Sequence, residues 1–336
     1  MTERSWWGLT LLWFLAVLYG WTVLLEHRSG QARQDAQLAE WRRIFDIING
    51  PSDSENLDSQ LKIDRQQLKE DVQNLSFPRY TSEARKAARK YISHRLAALG
   101  YGPQQHAFMD GVNVFADRDG TAPGGQHFIV AAHYDTVDGS PGADDNATGV
   151  AIVLEMARLF ALTPAQKTIR FVFFDREEQG MQGSKAFAMD AHRLRGLQGV
   201  FVFEMLGTTC TSEECQNWPA KSPQWMRPND GQFIAAIGML EKTQLMRALV
   251  NARRPDSPPV LAIPVPAQGY EWPHSRRSDH AAFWDRNIDA VLVTDTGDFR
   301  NPRYHTSTDT PEFIDWSYLN GAAEIAHRAI RRMANL

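Results

Sequence analysis

Cysteine is almost missing from this chain, with only Cys210 and Cys215 among 336 residues. Two thiols are too few for a metal centre built of cysteines. Their closeness in TTCTSEECQNW leaves two readings, a short-loop disulfide, which persists only outside the cytosol, or a pair of free thiols. A dominant sign of charge is lacking too. The formal net charge is -4, with acids and bases mixed along the chain, so there is no basic stripe of the kind that a phosphate backbone requires. Nucleic acid is not an expected partner. Nor is there an internal repeat or a low-complexity tract. What is present is an ordinary globular composition, 43% hydrophobic and 23% charged, with enough apolar side chains for a sizeable core. The length suits one large α/β domain with accessory segments.

The first segment stands apart. From Trp6 to Leu25 the only ionisable group is the phenol of Tyr19, and as a helix this run would span roughly 30 Å. It exceeds the apolar stretch of a signal peptide, and no small-x-small cleavage site follows Leu25 closely. An uncleaved transmembrane anchor over residues 1–26 is the expectation. Arg4 lies on one side and Arg28 and Arg33 on the other, so positive charge does not decide the orientation. A disulfide would put the remainder outside the cytosol, in the periplasm of a Gram-negative cell. Residues 27–78, polar with modest helical periodicity, are expected to form a stalk and lead-in helices. The catalytic domain is expected over 79–336.

That domain should open with a helix capped by Thr81 or Ser82, its apolar face running from Ala87 to Leu99 and ended by Gly100. Short β-rich runs then alternate with helices. Candidate strands are Val112 to Ala116, Phe128 to Ala132, Thr168 to Phe174, Val200 to Phe203, Phe233 to Ile237 and Ala290 to Val293. Candidate helices are Asn146 to Leu162, Ser184 to Asp190, Leu240 to Arg253, Asp279 to Arg286 and Trp316 to Met333. The alternation predicts an α/β sheet with helices on both faces. The long loop Thr208 to Asp230, with three prolines and two tryptophans, is a candidate flap over a site.

In such sheets ligands bind beyond the carboxyl ends of the strands. His133-Tyr134-Asp135 follows one candidate strand; Asp175, Glu177 and Glu178 follow another; Glu204 follows a third; His305 lies in the loop after the last. Asp144 precedes a helix in GADDN. Singly, each is ordinary. Together they form an acid cluster that repels itself unless a cation is present. Two histidines and three carboxylates suit a pair of zinc ions with one bridging carboxylate. Asp144, Glu178 and Glu204 with a bridging hydroxide balance the charge of two such ions. Glu177 is left over as a base able to take a proton from water. Asp135 is placed to orient the His133 ring through its other nitrogen.

HYD, GADDNATG, DREEQGMQGS, FEMLG, SDHAAFW and YHTSTDT, in that order, resemble the motifs of the zinc exopeptidases related to aminopeptidase Y, glutamate carboxypeptidase and the glutaminyl cyclases. The resemblance runs from about Arg79 to Leu336. It implies a three-layer phosphorylase/hydrolase-like fold with a mixed central sheet, and a site of two Zn2+ ions. By motif, His133 and Glu204 would hold one ion, Glu178 and His305 the other, and Asp144 would bridge them. Glu177 would be the general base and Asp135 the partner of His133. It also implies a cis peptide between Asp144 and Asp145. Glu204 stands where many members have Asp. The expected reaction is hydrolysis of a terminal peptide bond, with Tyr270 or His280 as candidates to assist at the oxyanion. An aminopeptidase is favoured. Arg276 and Arg277 keep a carboxypeptidase in view. A glutaminyl cyclase or a non-catalytic receptor-like module are the remaining alternatives.

Overall fold

A computed structural model describes residues 31–50, 62–212, 214–220 and 222–335. The apolar run at Trp6 to Leu25 lies outside them. Among the described residues no helix is long and apolar enough to cross a membrane. The chain divides into two compact units, Met1–Ile47 and Ile48–Leu336. The described part of the first belongs to a helix, α1, over residues 31–49.

Packing in the larger unit extends N-terminal of the boundary expected at residue 79. Helix α2 (Arg65–Leu75) starts at Asp64, whose side chain accepts from the Gln67 N–H, and it buries Leu68, Val72 and Leu75. Helix α3 (Ser82–Ala98) is capped by the Thr81 hydroxyl, which accepts from the Ala84 N–H, and it buries Ala88, Ile92 and Leu96. It ends where Gly100 takes a φ of 87°, a left-handed value that glycine adopts without steric cost.

Among the described residues eight strands follow: β1 (Gln104–Phe108), β2 (Gly111–Arg118), β3 (His127–His133), β4 (Thr168–Phe174), β5 (Leu197–Glu204), β6 (Ile234–Met239), β7 (Val260–Val265) and β8 (Ala290–Thr294). They form one sheet in the order β1-β2-β4-β3-β5-β8-β6-β7. The four central strands β4, β3, β5 and β8 run parallel to one another, while β2 and β6 flank them antiparallel. A parallel strand covered on both sides is apolar throughout, and β3 is buried at all its positions.

On one face Ile129, Val172, Val200 and Leu292 share a core cluster with Phe187 and Phe283. These rings come from α5 (Gln182–Met189) and α8 (His280–Trp284). Phe187 packs edge-on against Phe115 and Phe174, and truncating such a buried ring costs about 3–5 kcal/mol. It ties down the helix that begins just after the Glu177-Glu178 turn. Phe128 and Val130 point to the opposite face, where the almost wholly buried α4 (Gly149–Leu162) contacts β3, β4 and β5. Helices α6 (Ala191–Leu194), α7 (Gln244–Asn251) and α9 (Trp316–Asn335) complete the layers.

Because the four central strands are parallel, their carboxyl ends meet along one edge of the sheet. Each of β3, β4, β5 and β8 delivers its polar residues there.

Candidate metal centre

Among the described residues, two clusters bring histidine and carboxylate ligand atoms within 4.8 Å of one another: His133, Asp145 and Glu204, and Asp145, Glu178 and His305. The shared member is Asp145. Its Oδ1 lies 3.3 Å from His133 Nε2 and its Oδ2 lies 3.2 Å from His305 Nε2. Glu204 Oε1 stands 2.9 Å from His133 Nε2, and Glu178 Oε2 stands 3.0 Å from His305 Nε2. One carboxylate thus straddles two histidine-glutamate pairs.

The expected bridge, Asp144, is therefore corrected by one residue. Asp144 is buried, and its oxygens are occupied elsewhere. Oδ1 accepts from the Gly207 N–H at 2.7 Å; Oδ2 accepts from the Thr208 hydroxyl at 2.7 Å and from the Asn301 amide at 2.8 Å. It fastens neighbouring loops and faces neither histidine. The cis peptide also lies one position on, at Asp145-Asn146. The backbone is non-helical at Asp145 and Asn146, so α4 begins at Gly149 rather than at Asn146.

The turn that carries Asp145 is held from several sides. Asp309 accepts from the N–H groups of Asp144 and Asp145 at 2.9 and 3.0 Å. Asn146 donates to the Phe203 carbonyl, and its own oxygen accepts from the N–H groups of Gly149 and Met205. A Cβ on Gly149 would stand 2.3 Å from that oxygen, so no larger residue fits. Neither Asp309 nor Asn146 was expected as a functional residue, although both lie inside the quoted motifs YHTSTDT and GADDNATG.

Asp135 lies beside both the His133 ring and the Glu177-Glu178 turn. Its Oδ1 faces His133 Nδ1 at 3.4 Å, too long for a good hydrogen bond. Its two oxygens accept from the N–H groups of Glu177 and Glu178 at 3.0 and 3.2 Å. One buried carboxylate therefore fixes the turn that carries the candidate base and lies beside the imidazole without a hydrogen bond to it. Ser278 donates to Glu204 Oε2 at 2.7 Å, which aims the other glutamate oxygen at His133. Positive φ angles occur beside or at these positions, at Arg176, Met205 and His305. Such values are uncommon for residues other than glycine and cluster where surrounding structure imposes them.

The electrostatics suit a bound cation. Burial and the nearby Asp145 raise Glu178 to about 7. Burial, with Glu204 and Asp279 close by, pushes Glu177 well above the usual carboxylate range. Burial would lower His305, yet its hydrogen bonds to Asp145 and Glu178 raise it to about 10. The second oxygen of Glu178 and the Nδ1 of His133 are buried without a hydrogen bond. A set of imidazole and carboxylate donors with this convergence is the chemistry of a zinc-type divalent ion site.

A cavity of about 420 Å3 opens from these residues. One end is acidic, with Asp145, Glu177, Glu178 and Glu204; beyond it Ile237, Ile263 and Leu292 form an apolar wall with Trp218 and Trp272. Ile237 pairs with Ile263 on one side and Leu292 on the other, so the wall is a row across β8, β6 and β7. Residues 216–220, from the expected flap, line the cavity as well. Cys210 and Cys215 are joined in a disulfide just before them.

The expected oxyanion groups do not lie in the cavity. Tyr270 is exposed and donates to Asp285 at 2.8 Å, with the Arg276 guanidinium over its ring. His280 is buried against Trp284, its Nε2 at 2.7 Å from the Ser275 carbonyl, and burial lowers it to about 4. Arg276 binds the Gln268 carbonyl and Asp285. Arg277 does line the cavity, bound to both oxygens of Asp298. Tyr304 lines it as well, its ring stacked on His305 with centroids 3.7 Å apart.

In sequence, the chain is 31% identical over 203 residues to the uncharacterized protein YfbL of Escherichia coli (strain K12), an alignment of 57% of this chain and 62% of that protein. It is 28% identical over 207 residues to aminopeptidase YwaD of Bacillus subtilis (strain 168), which covers 60% of this chain and 40% of that protein. The chain therefore spans less than two thirds of the length of these relatives. In fold it is similar to the aminopeptidase from Aneurinibacillus sp. strain AM-1, with a TM-score of 0.64 over 82% of this chain and 95% of that one, at 17% identity. The model of Peptidase family M28 matches residues 113–330, more than half of the chain and a span that holds both ligand clusters. By that match the chain belongs to peptidase family M28.

Proposed function

We propose that this protein is a two-zinc aminopeptidase. The observation that carries the reading is the Asp145 carboxylate set between the His133-Glu204 and His305-Glu178 pairs, with Glu177 beside them in the same cavity. His133, Asp145 and Glu204 would hold one ion, and His305, Asp145 and Glu178 the other. When bound, such ions polarise a carbonyl and lower the pKa of water toward neutrality.

The chain's own residues supply the remaining chemistry. Glu177, whose proton affinity is raised by burial, takes the proton of the attacking water and delivers it to the leaving amine. Asp135 holds Glu177 in place through its backbone N–H. Tyr304 accepts an N–H from Arg277 at 3.1 Å, which leaves its own O–H to donate to the oxygen of the attacked carbonyl. The acid-lined end of the cavity favours a free α-amine. Arg277, the lining arginine, is already engaged by Asp298, so a terminal carboxylate finds no unoccupied guanidinium there. The apolar row of Ile237, Ile263 and Leu292 would receive the side chain of the first residue.

A complete donor set for two ions supports a peptidase over a one-zinc cyclase or a receptor-like module. A peptide-library digest read by mass spectrometry tests this reading. Sequential loss of N-terminal residues is expected, and trimming from the C-terminus or cyclisation of N-terminal glutamine would refute it. Residues 1–26 are proposed as a membrane anchor with the catalytic unit outside the cytosol, in keeping with the Cys210-Cys215 disulfide. Release of the full chain from membranes by alkaline carbonate would contradict the anchor.

A further inference from the structure

Arg79 has a place that the proposed chemistry leaves unexplained. Its side chain is 1% exposed, and a guanidinium is buried at a high cost unless its N–H groups are satisfied. Here backbone carbonyls satisfy them. Nε donates to the Tyr134 carbonyl at 2.6 Å, Nη1 to those of Pro141 at 2.8 Å and Phe77 at 3.1 Å, and Nη2 to that of Gly142 at 2.9 Å. Nη1 also donates to the Leu75 carbonyl. Its backbone N–H donates to the Thr136 hydroxyl at 2.9 Å.

These partners fall in a telling order. Tyr134 directly follows His133 at the end of β3, and Gly142 lies three residues before Asp145. One planar fork thus joins the strand end that carries the first histidine to the turn that carries the shared carboxylate. The approach is close: a Cβ on Gly142 would stand 2.7 Å from Arg79 Nη2, and Gly142 holds a φ of 62°. The positive charge, with its hydrogen bonds all made to neutral carbonyls, acts on the acids around it. Asp145, Asp135, Asp309 and Glu178 are the carboxylates whose fields reach it.

We infer that Arg79 is a positioning residue for the metal pair: it locks the His133 strand end to the Asp145 turn and supplies the fixed positive charge that keeps the carboxylates together before ions arrive. This rests on the two-metal reading above. Lysine would keep the charge but, with a single ammonium, could not span carbonyls on both segments. Arg79→Lys therefore separates geometry from charge.

The test uses the full chain, stripped of metal with a chelator and titrated with zinc against a chromophoric chelator. Cobalt(II) absorption and a thermal melt are recorded alongside. Arg79→Lys is expected to weaken zinc binding by about 10–100-fold, the usual effect of losing a group that orients metal ligands, with the wild-type stoichiometry regained at high zinc. The cobalt bands should change in intensity, because the ligand geometry changes. A role confined to stability would lower the melting temperature and leave the cobalt spectrum and zinc affinity of the folded protein at wild-type values. That result overturns the inference. Should Arg79→Lys fail to melt cooperatively, Thr136→Val, which removes the acceptor of the Arg79 backbone N–H, replaces it. A loss of about tenfold in zinc affinity then supports the inference, and unchanged affinity overturns it. If the wild type itself binds neither zinc nor cobalt, the two-metal reading fails, a different outcome from wild-type binding with an indifferent Arg79 variant.

Discussion

The two halves of the proposed metal centre are built by different means. The His133 side chain is 1% exposed and Glu204 is 14% exposed. Both end central strands whose registers are set by parallel ladders on each side. The His305 side chain is 33% exposed and sits in a loop at a φ of 59°, supported by the ring of Tyr304. Its partner Glu178 is buried in the turn fixed by Asp135. One half is thus determined by the sheet and the other by local contacts, with Asp145 common to both. Ladders persist to the global stability of a fold, whereas loops open at lower free energy. The sheet-built half should therefore bind its ion more tightly and release it more slowly.

The largest expected effect leaves both halves intact. Glu177→Ala should retain zinc and lose about 10²–10⁴-fold in kcat, measured on aminoacyl-p-nitroanilides with metal content read on the same samples. Wild-type turnover would remove Glu177 as the base. The next tests separate the halves. His305→Ala should lose its ion on dialysis and keep the other. His133→Ala should lose metal and also stability, because it removes the buried imidazole that partners Glu204 Oε1 at 2.9 Å. Equal zinc loss and equal melting temperatures in the two variants would erase the contrast.

A smaller effect follows from protonation. In the metal-free chain burial raises Glu178, Asp279 and Asp309 each to about 7, and His305 stands at about 10. Between the ordinary carboxylate range and these values, these groups bind more protons in the folded chain than in the unfolded chain. Together they outweigh the buried His280 and His327, lowered to about 4, which act the other way below about 6.5. The chain's stability must therefore fall as pH rises. From about pH 5 to pH 7 this comes from the acids, and from about 6.5 to 10 from His305. Asp145, held below the ordinary range by His133 and His305 against its burial, contributes its change at acid pH, outside this window. The metal-free melting temperature should be lower at pH 8 than at pH 6, and the gain on adding zinc should be larger at pH 8, because bound ions displace those protons. A metal-free melt that rises over this interval would refute the sign.

The smallest effect concerns selection rather than catalysis. Ile237→Trp narrows the apolar row and should raise KM for leucyl and phenylalanyl substrates about tenfold relative to alanyl substrates. An unchanged ratio would place the terminal side chain elsewhere.

The central sheet was readable because its buried strands are continuous apolar runs; Thr168–Phe174 matches the expected span at both ends. Two edge strands escaped notice for physical reasons. In β1, Gln104–Phe108 has a mostly exposed, polar pattern. In β7, Pro264 interrupts a run that reads poorly as a strand, yet an edge strand tolerates proline. The candidate site was legible as strand-end chemistry, since His133, Glu177, Glu178, Glu204 and His305 come together beyond the carboxyl edge of the sheet. The choice between Asp144 and Asp145 was not. Two adjacent aspartates are indistinguishable by composition, and what divides them is distant in sequence: Gly207, Thr208 and Asn301 hold the first, and two histidines face the second. Tyr304 escaped for a related reason, since only its stacking on His305 brings it to the cavity.

Zinc per chain in the wild type and in Asp145→Asn, after equilibration with zinc and gel filtration, tests the shared carboxylate most directly. Two ions in the wild type and one or fewer in the variant are expected. Two ions retained by Asp145→Asn would contradict a bridge at that residue.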